Sequence, residues 1–363
     1  MINYYKEKLK IRLDYIRAGQ AVLKSKKSHG LNPTKKYAFI FFAADYNNLG
    51  DLAITISQQK FLQDTIGTQY TIIEIYESET FDWISEIKTL PIQNVLITLI
   101  GGGNSGSLYD FIEKPRRYLL RTFRNYKIIS FPQTICFDDS EQSMAIKEEF
   151  TRLANRCDDL TLIAREKRSE QVYLSITNAH VLLTPDIVFS YKKYITKNDN
   201  RNPDSVALIL RDDKEKLMTS TFQDGLIKLC KKRFDTVKYM DTCDIEYHDD
   251  NTQELLNDYL KKLQSVSLVI TDRLHGMILS YITDTPCIVF SNNNWKIKST
   301  YETWLRGQDI VHVFNPENSY LGELESMINT TLNQEKHSIV DLNDRFAAIR
   351  SVLEEKHNAR NSH

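Results

Sequence analysis

Cysteine is scarce and unpaired in its spacing. Cys136, Cys157, Cys230, Cys243 and Cys287 are odd in number and form no CxxC pair. That argues against a disulfide framework or a structural zinc site and points to a reducing compartment. Long apolar runs are missing as well. No stretch reaches the ~18–20 apolar residues of a membrane span, and the N-terminus lacks the apolar core of a secretion signal. A cytoplasmic protein is the expectation. Net charge is nearly absent, with 47 basic against 48 acidic residues, which argues against a nucleic-acid binder. Neither GxGxxG nor GKS/T occurs, so NAD and ATP are set aside. No metal-ligand cluster, internal repeat or low-complexity tract is visible.

What is present is an ordinary apolar content of 41% over 363 residues. That length exceeds the roughly 250–300 residues at which single cores stop growing, so two domains are expected. Residues 1–36 carry ten Lys/Arg against Glu7 and Asp14. Tyr4, Tyr5, Leu9, Leu13, Ile16, Val22 and Leu23 recur there at helical spacing. A basic amphipathic helix fits either an anionic membrane surface or partner, or simple packing on the first domain.

From Tyr37 the chain alternates strands and helices. Segments at 37–43, 69–75, 94–100, 127–131, 160–164 and 181–186 read as strands of a first domain. The polar loop 45–51 precedes a helix from about Leu52, and Gly101-Gly-Gly103 follows the third strand. Those glycines either let backbone amides approach a ligand or pack against a neighbouring strand. Residues 191–204 have the composition of a linker. A second set of βα units follows, with strands at 205–210, 236–240, 267–270 and 285–290 and helices near 300–306, 319–334 and 341–357. The expected fold class is α/β, as two Rossmann-like doubly wound domains facing across a cleft.

Within that pattern Ser267–Thr283 stands out as a strand running straight into a helix, with Arg273 and His275 at its first turn. Unpaired amides and the helix dipole make such a junction an anion site. Asp272 is expected to cap the turn while Leu274, Ile278 and Leu279 face the core. Arginine and imidazole together suggest acid–base chemistry on an anion; a buried structural Arg-Leu-His is the plainer alternative. Arg211 ends another strand, and Asp51, Gln133, Arg165 and Asp186 fall at strand ends that would line one rim. Asp51 and Asp186 equally suit a helix cap or a turn.

In order along the chain, Asn48-Leu-Gly-Asp51, the glycines at 101–103, Ser130-Phe-Pro-Gln-Thr134, Ala164-Arg-Glu-Lys-Arg-Ser169, Thr184-Pro-Asp186, Thr271-Asp-Arg-Leu-His-Gly276, Pro286 and Lys296 in Asn294-Trp-Lys-Ile-Lys298 resemble the polysaccharide pyruvyl transferase family. The resemblance covers about 37–306 and implies a glycosyltransferase-B-like arrangement. It also implies transfer of pyruvate from phosphoenolpyruvate to two hydroxyls of a sugar in a cell-surface polysaccharide or its precursor, with release of phosphate. Domain bounds follow: an extension 1–36, an acceptor-side domain 37–190, a phosphoenolpyruvate-side domain 205–335 and a C-terminal helix 336–363.

By the same resemblance, Arg165, Arg273, His275 and Lys296 match family positions associated with phosphoenolpyruvate binding or catalysis. The expected catalytic residues are His275 and Arg273; Arg165 and Lys296, together with Arg211, Asn48, Asp51, Gly102 and Gln133 from their places in the chain, are the expected substrate contacts. Lys298 is the alternative to Lys296. No cofactor or metal is implied beyond phosphoenolpyruvate as donor. The partner is a glycan or lipid-linked glycan, and the basic N-terminus fits peripheral contact with the inner face of the membrane. Two other readings remain. A nucleotide-sugar glycosyltransferase of the same fold would bind a nucleoside diphosphate, and a non-catalytic scaffold would tolerate His275→Ala.

Overall fold

A computed structural model describes residues 2–198, 200–212, 216, 218–243, 248, 251–291, 295–317, 319–334, 337 and 339–355. Asp213, Asn294 and the last two positions of the helix expected at 341–357 lie outside them. The chain divides into two compact units: 1–44, 54–187 and 345–363 in the first, 45–53 and 188–344 in the second. The segment carrying Asn48 to Asp51 thus belongs to the second unit.

The first unit is built on helix α1 (Ile2–Lys24), strand β1 (Tyr37–Ala43), α2 (Leu49–Ile66, whose start lies in the other unit), β2 (Thr71–Tyr76), α3 (Thr80–Ile87), β3 (Val95–Leu99), β4 (Gly102–Gly106), α4 (Asp110–Thr122), β5 (Lys127–Cys136), α5 (Glu141–Ala154), β6 (Asp159–Ala164), α6 (Lys167–Ile176) and β7 (His180–Leu183). All strand pairs are parallel, in the order β2-β1-β3-β5-β6-β7, with β4 paired to β5. Helices cover parallel sheets on both faces, which is why β1 is apolar throughout, β3 is apolar but for Thr98, and every residue of each is buried.

Two expectations change here. Helix α2 starts at Leu49 rather than Leu52, because Asn48 Oδ1 accepts the Gly50 and Asp51 N–H groups at 3.0 and 3.4 Å as an N-cap. Strand β5 runs on to Cys136, past Pro132. Proline cannot donate to a ladder, and the β5–β6 register shifts between Ser130 and Gln133 to accommodate it. The glycine run packs against a neighbouring strand: β4 pairs with β5, and a Cβ on Gly101 would meet the Pro132 carbonyl oxygen at 3.0 Å.

Helix α1 packs on α3, α4 and α5. Ile11 and Ala18 are buried, Lys8 bonds Glu148 at 2.8 Å, and Tyr15 donates to Glu149. Its outer face leaves Leu9 and Leu23 exposed, the latter at 85%. At the other end of the chain, α12 (Ala347–Glu354) returns to this unit after the second is complete. Phe346 seats against Phe61 at 5.7 Å, and the Lys127 ammonium donates to the Val352 and Glu355 carbonyls.

The second unit holds β8 (Asn202–Ile209), α7 (Ser220–Arg233), β9 (Thr236–Tyr239), α8 (Thr252–Gln264), β10 (Val266–Thr271), α9 (Leu274–Ile282), β11 (Cys287–Phe290), α10 (Lys296–Thr300), β12 (Val311–Phe314) and α11 (Leu321–Leu332). Its sheet is parallel in the order β12-β11-β10-β8-β9. Val206, Leu208, Leu268, Ile270, Ile288 and Phe290 fill its core against α7 and α11. Residues 191–204 are not a free linker: a 3-10 helix spans Ile187–Tyr194, Tyr191 is buried, and β8 already begins at Asn202. Strand β12 is an addition to the strands expected from the sequence.

Candidate active site

Strand order decides where a ligand can sit. In an open parallel sheet, ligands gather beyond the carboxyl ends of the strands at which the order reverses, because the connections there leave on opposite faces. In the second unit that reversal lies between β8 and β10. Arg211 follows β8, and Asp272 and Arg273 follow β10. The sequence therefore puts its most suggestive residues at the position the topology leaves open.

The local geometry is tightly specified. Thr271 Oγ1 donates to the Ile209 carbonyl at 2.8 Å and accepts the Arg273 N–H at 3.0 Å. Asp272 does not cap α9 as expected. It is buried, and Oδ1 accepts the Arg211 N–H at 2.8 Å, tying the end of β10 to the end of β8. Arg273 is the N-cap residue, without a side-chain cap. Burial pushes the Asp272 carboxyl up to about 6, against the opposing pull of the Arg211 N–H and the nearby guanidinium groups. Ile278 and Leu279 are buried as expected, whereas Leu274 is only half-buried.

Arg273 is 14% exposed and pairs with Asp241 at 2.9 Å, just beyond β9. A pocket of about 240 Å³ opens beside Asp241, lined by Leu208, Leu210, Tyr239 and Met240. His275 stands in the first turn of α9 with its imidazole against Gly50, the second residue of α2: a Cβ on Gly50 would lie 2.3 Å from Nδ1 and 2.8 Å from Cγ. Glycine is required there by contact, not by backbone conformation. Gly276 makes the same concession on the other side, where a Cβ would meet Thr271 Oγ1 at 2.3 Å.

Two helix N-termini thus meet at His275. The first turn of α2 contributes dipole and surface rather than open donors, since Leu49 N–H bonds the Thr242 carbonyl at 2.7 Å, Asn48 Oδ1 takes the next two amides, and Leu52 N–H returns to the Asn48 carbonyl at 3.0 Å. Asp51 accepts from Tyr46 at 3.0 Å. Lys296 opens the five-residue α10, half-buried, and Lys298 is exposed.

In the first unit, Gln133 and Arg165 lie at the carboxyl ends of β5 and β6, both buried. Arg165 bonds Thr134 at 2.7 Å and Asp186 at 2.8 Å, with Glu166 3.7 Å away. Glu166 accepts from Thr134 at 2.9 Å, and burial raises its carboxyl above the ordinary range despite the Arg165 guanidinium. Gln133 donates to the Ile100 carbonyl and to Asn104 Oδ1, which also takes Arg116 at 2.6 Å. Gly102 is buried beside them with φ +120°, and Arg116 pairs with Glu113 at 2.7 Å. This rim is an internally paired polar network. Asp51, expected on it, falls in the other unit.

Sequence reasoning missed Asp241 as the partner of Arg273, since a lone carboxylate after a four-residue strand carries no signal. It also missed that Gly50 is the surface against which His275 rests. The motif around Gly50 was visible, but its contact lies across more than two hundred residues of chain. No group of three or more His, Cys, Asp or Glu suited to a metal ion occurs among the described residues. Nor is any described helix long and apolar enough to cross a membrane.

Known proteins resemble this chain over most of its length. Residues 48–294 match the family described as Polysaccharide pyruvyl transferase. General stress protein 30 of Bacillus subtilis (strain 168) is 35% identical over 321 residues, covering 87% of this chain and 90% of that protein. Pyruvyl transferase 1 of Schizosaccharomyces pombe is 29% identical over 290 residues, covering 75% and 70% respectively. Among solved structures, the Methanocaldococcus jannaschii UDP-GlcNAc 2-epimerase in complex with UDP-GlcNAc and UDP aligns with a TM-score of 0.51 at 12% identity, over 88% of this chain and 100% of that one. At such identity the likeness concerns fold alone. With its two parallel Rossmann-like units of glycosyltransferase-B-like type, its family match and its relatives, this chain belongs to the polysaccharide pyruvyl transferase family.

Proposed function

We propose that the protein transfers pyruvate from phosphoenolpyruvate onto two hydroxyls of one sugar in a cell-surface polysaccharide or its lipid-linked precursor, forming a cyclic ketal and releasing phosphate in the cytoplasm. The observation that carries this reading is the junction of β10 and α9. Arg273 and His275 stand there at the strand-order reversal of the second unit, beside Arg211 and against Gly50. A doubly charged donor suits guanidinium groups, which bind phosphate and carboxylate through paired, charge-assisted hydrogen bonds.

In the proposed reaction a proton is delivered to the donor's methylene carbon, and positive charge develops at the adjacent carbon. One sugar hydroxyl adds there and the bond to phosphate oxygen breaks, its electrons leaving with phosphate. The second hydroxyl closes the ketal. Of the two hydroxyl protons, one balances the proton now in the methyl group and the other leaves with phosphate. His275 is the acid–base group, Arg273 the donor clamp oriented by Asp241, and Arg211 and Lys296 further donor contacts. Asn48 and Asp51 shape the turn behind the imidazole. Gln133, Gly102 and Arg165 act as positioning residues of the acceptor-side unit, the last through Asp186 and Thr134. Peripheral contact with the inner membrane face through α1 would serve a lipid-linked acceptor.

The test is incubation with phosphoenolpyruvate and a panel of glycan acceptors, following phosphate release and acceptor mass together. Phosphate release matched by a pyruvyl ketal on the acceptor is expected. Calorimetry in which a sugar nucleotide binds and phosphoenolpyruvate gives no heat would overturn the assignment.

A further inference from the structure

A concave pocket of about 570 Å³ lies between α1, α4 and α5 in the first unit. Six cations line it, namely Lys8, Arg12, Arg121, Arg124, Arg152 and Arg156, against two carboxylates, Glu148 and Glu149. The carboxylates are already engaged. Glu148 pairs with Lys8 at 2.8 Å, and Glu149 takes both Nε and Nη2 of Arg152 at 2.8 and 2.6 Å. Arg121 lies over the Tyr15 ring at 4.8 Å. Arg12, Arg124 and Arg156 form no ion pair with any described residue. Arg12 lies in α1, Arg124 and Arg156 just beyond the ends of α4 and α5, and all three line one concavity.

A helix C-terminus favours a cation, which explains Arg121 and Arg152 in the last turns of α4 and α5. It does not account for Arg12, nor for the number of guanidinium groups around one hollow; Arg12, Arg124 and Arg156 are exposed to solvent there, and a bound anion would relieve their mutual repulsion. The hollow is also distinct from the rim holding Gln133 and Arg165. Helices α4 and α5 deliver the chain to the amino ends of β5 and β6, whereas Gln133 lies six residues further along β5, roughly 20 Å away at the rise of a strand.

We propose that this pocket is a second anion site, taking a diphosphate or similarly clustered phosphate group. Three guanidinium groups lining one hollow, and a volume far larger than one phosphate, favour a ligand with more than one anionic centre. This assignment does not depend on the donor chemistry proposed above.

The test is calorimetric titration of the full chain with inorganic pyrophosphate, paired with sedimentation against vesicles of phosphatidylglycerol and of phosphatidylcholine. Each is run on the wild type, on Arg124→Glu/Arg156→Glu, and on the milder Arg12→Gln, with the melting temperature as a check on folding. Pyrophosphate binding weakened at least tenfold in the double variant, and several-fold in Arg12→Gln, assigns a soluble phosphorylated ligand. Sedimentation with phosphatidylglycerol vesicles alone, lost in the double variant, assigns a lipid headgroup; both results uphold the site. Pyrophosphate binding and vesicle sedimentation that are absent from the wild type, or equal in wild type and double variant, overturn it.

Discussion

The contact between His275 and Gly50 makes the chemistry of single residues testable. If the imidazole is the acid–base group, His275→Ala lowers kcat by roughly 10²–10⁴-fold while melting temperature and phosphoenolpyruvate binding change little. A scaffold role instead leaves product formation intact. Gly50→Ala puts a methyl 2.3 Å from Nδ1, so the ring must leave its seat. Its kcat should fall at least tenfold, and adding it to His275→Ala should cost nothing further, because the truncated side chain vacates the space. Strict additivity in that cycle would show that Gly50 acts by another route.

Asp272 gives a pH signature. Its carboxyl titrates near 6 in the folded protein, against roughly 3.9 when unfolded. Between those values the native state binds more protons, so this group's contribution falls as pH rises from about 4 to about 6, and the loss is complete above that. Asp272→Asn still accepts from Arg211 N–H but does not titrate. Urea unfolding at pH 4 and pH 7 should show the variant gaining on the wild type by up to about 3 kcal/mol across that window. A pH-independent difference would mean an ordinary carboxyl.

At the scale of elements, α9 packs on β10 so tightly at Gly276 that no room is left for a Cβ. On an exposed helix, Gly→Ala gains about 1 kcal/mol of propensity. Here the new methyl would stand 2.3 Å from Thr271 Oγ1, which itself bonds the Ile209 carbonyl and the Arg273 N–H. Overpacking costs about 1–3 kcal/mol and wins. Gly276→Ala should lower the melting temperature and, by tilting the first turn of α9, raise the KM for phosphoenolpyruvate; a stabilised variant would contradict the tight packing. Element type was readable wherever a run was mostly apolar, as in β1 throughout and in the Leu-Val-Ile centre of β10. It was not readable in β4, whose Gly-Gly-Asn-Ser-Gly pairs because β5 lies alongside it, not because of any propensity.

At the scale of the whole chain, the first unit is completed only when the last helix returns to it. Phe346 is fully buried against Phe61, and α12 supplies the carbonyls that take the buried Lys127 ammonium. Phe346→Ala should therefore cost about 3–5 kcal/mol, drawn from the first unit. Hydrogen exchange should show β1 and β5 losing protection while β10 keeps its own. Equal losses in both would mean that the units unfold as one.

The sequence by itself determined what depends on local pattern and residue chemistry: parallel α/β units from alternating buried strands and helices, a family likeness from ordered short motifs, and an arginine–histidine pair at one strand end. Tertiary structure alone decided which of those residues meet. Asn48 to Asp51 follow β1 in the chain yet join the second unit, where Gly50 backs His275. Arg165 points to Asp186, and Asp272 turns from its own helix to Arg211. Such pairings are contacts between segments far apart along the chain, fixed by strand order and close packing, and no local periodicity encodes them.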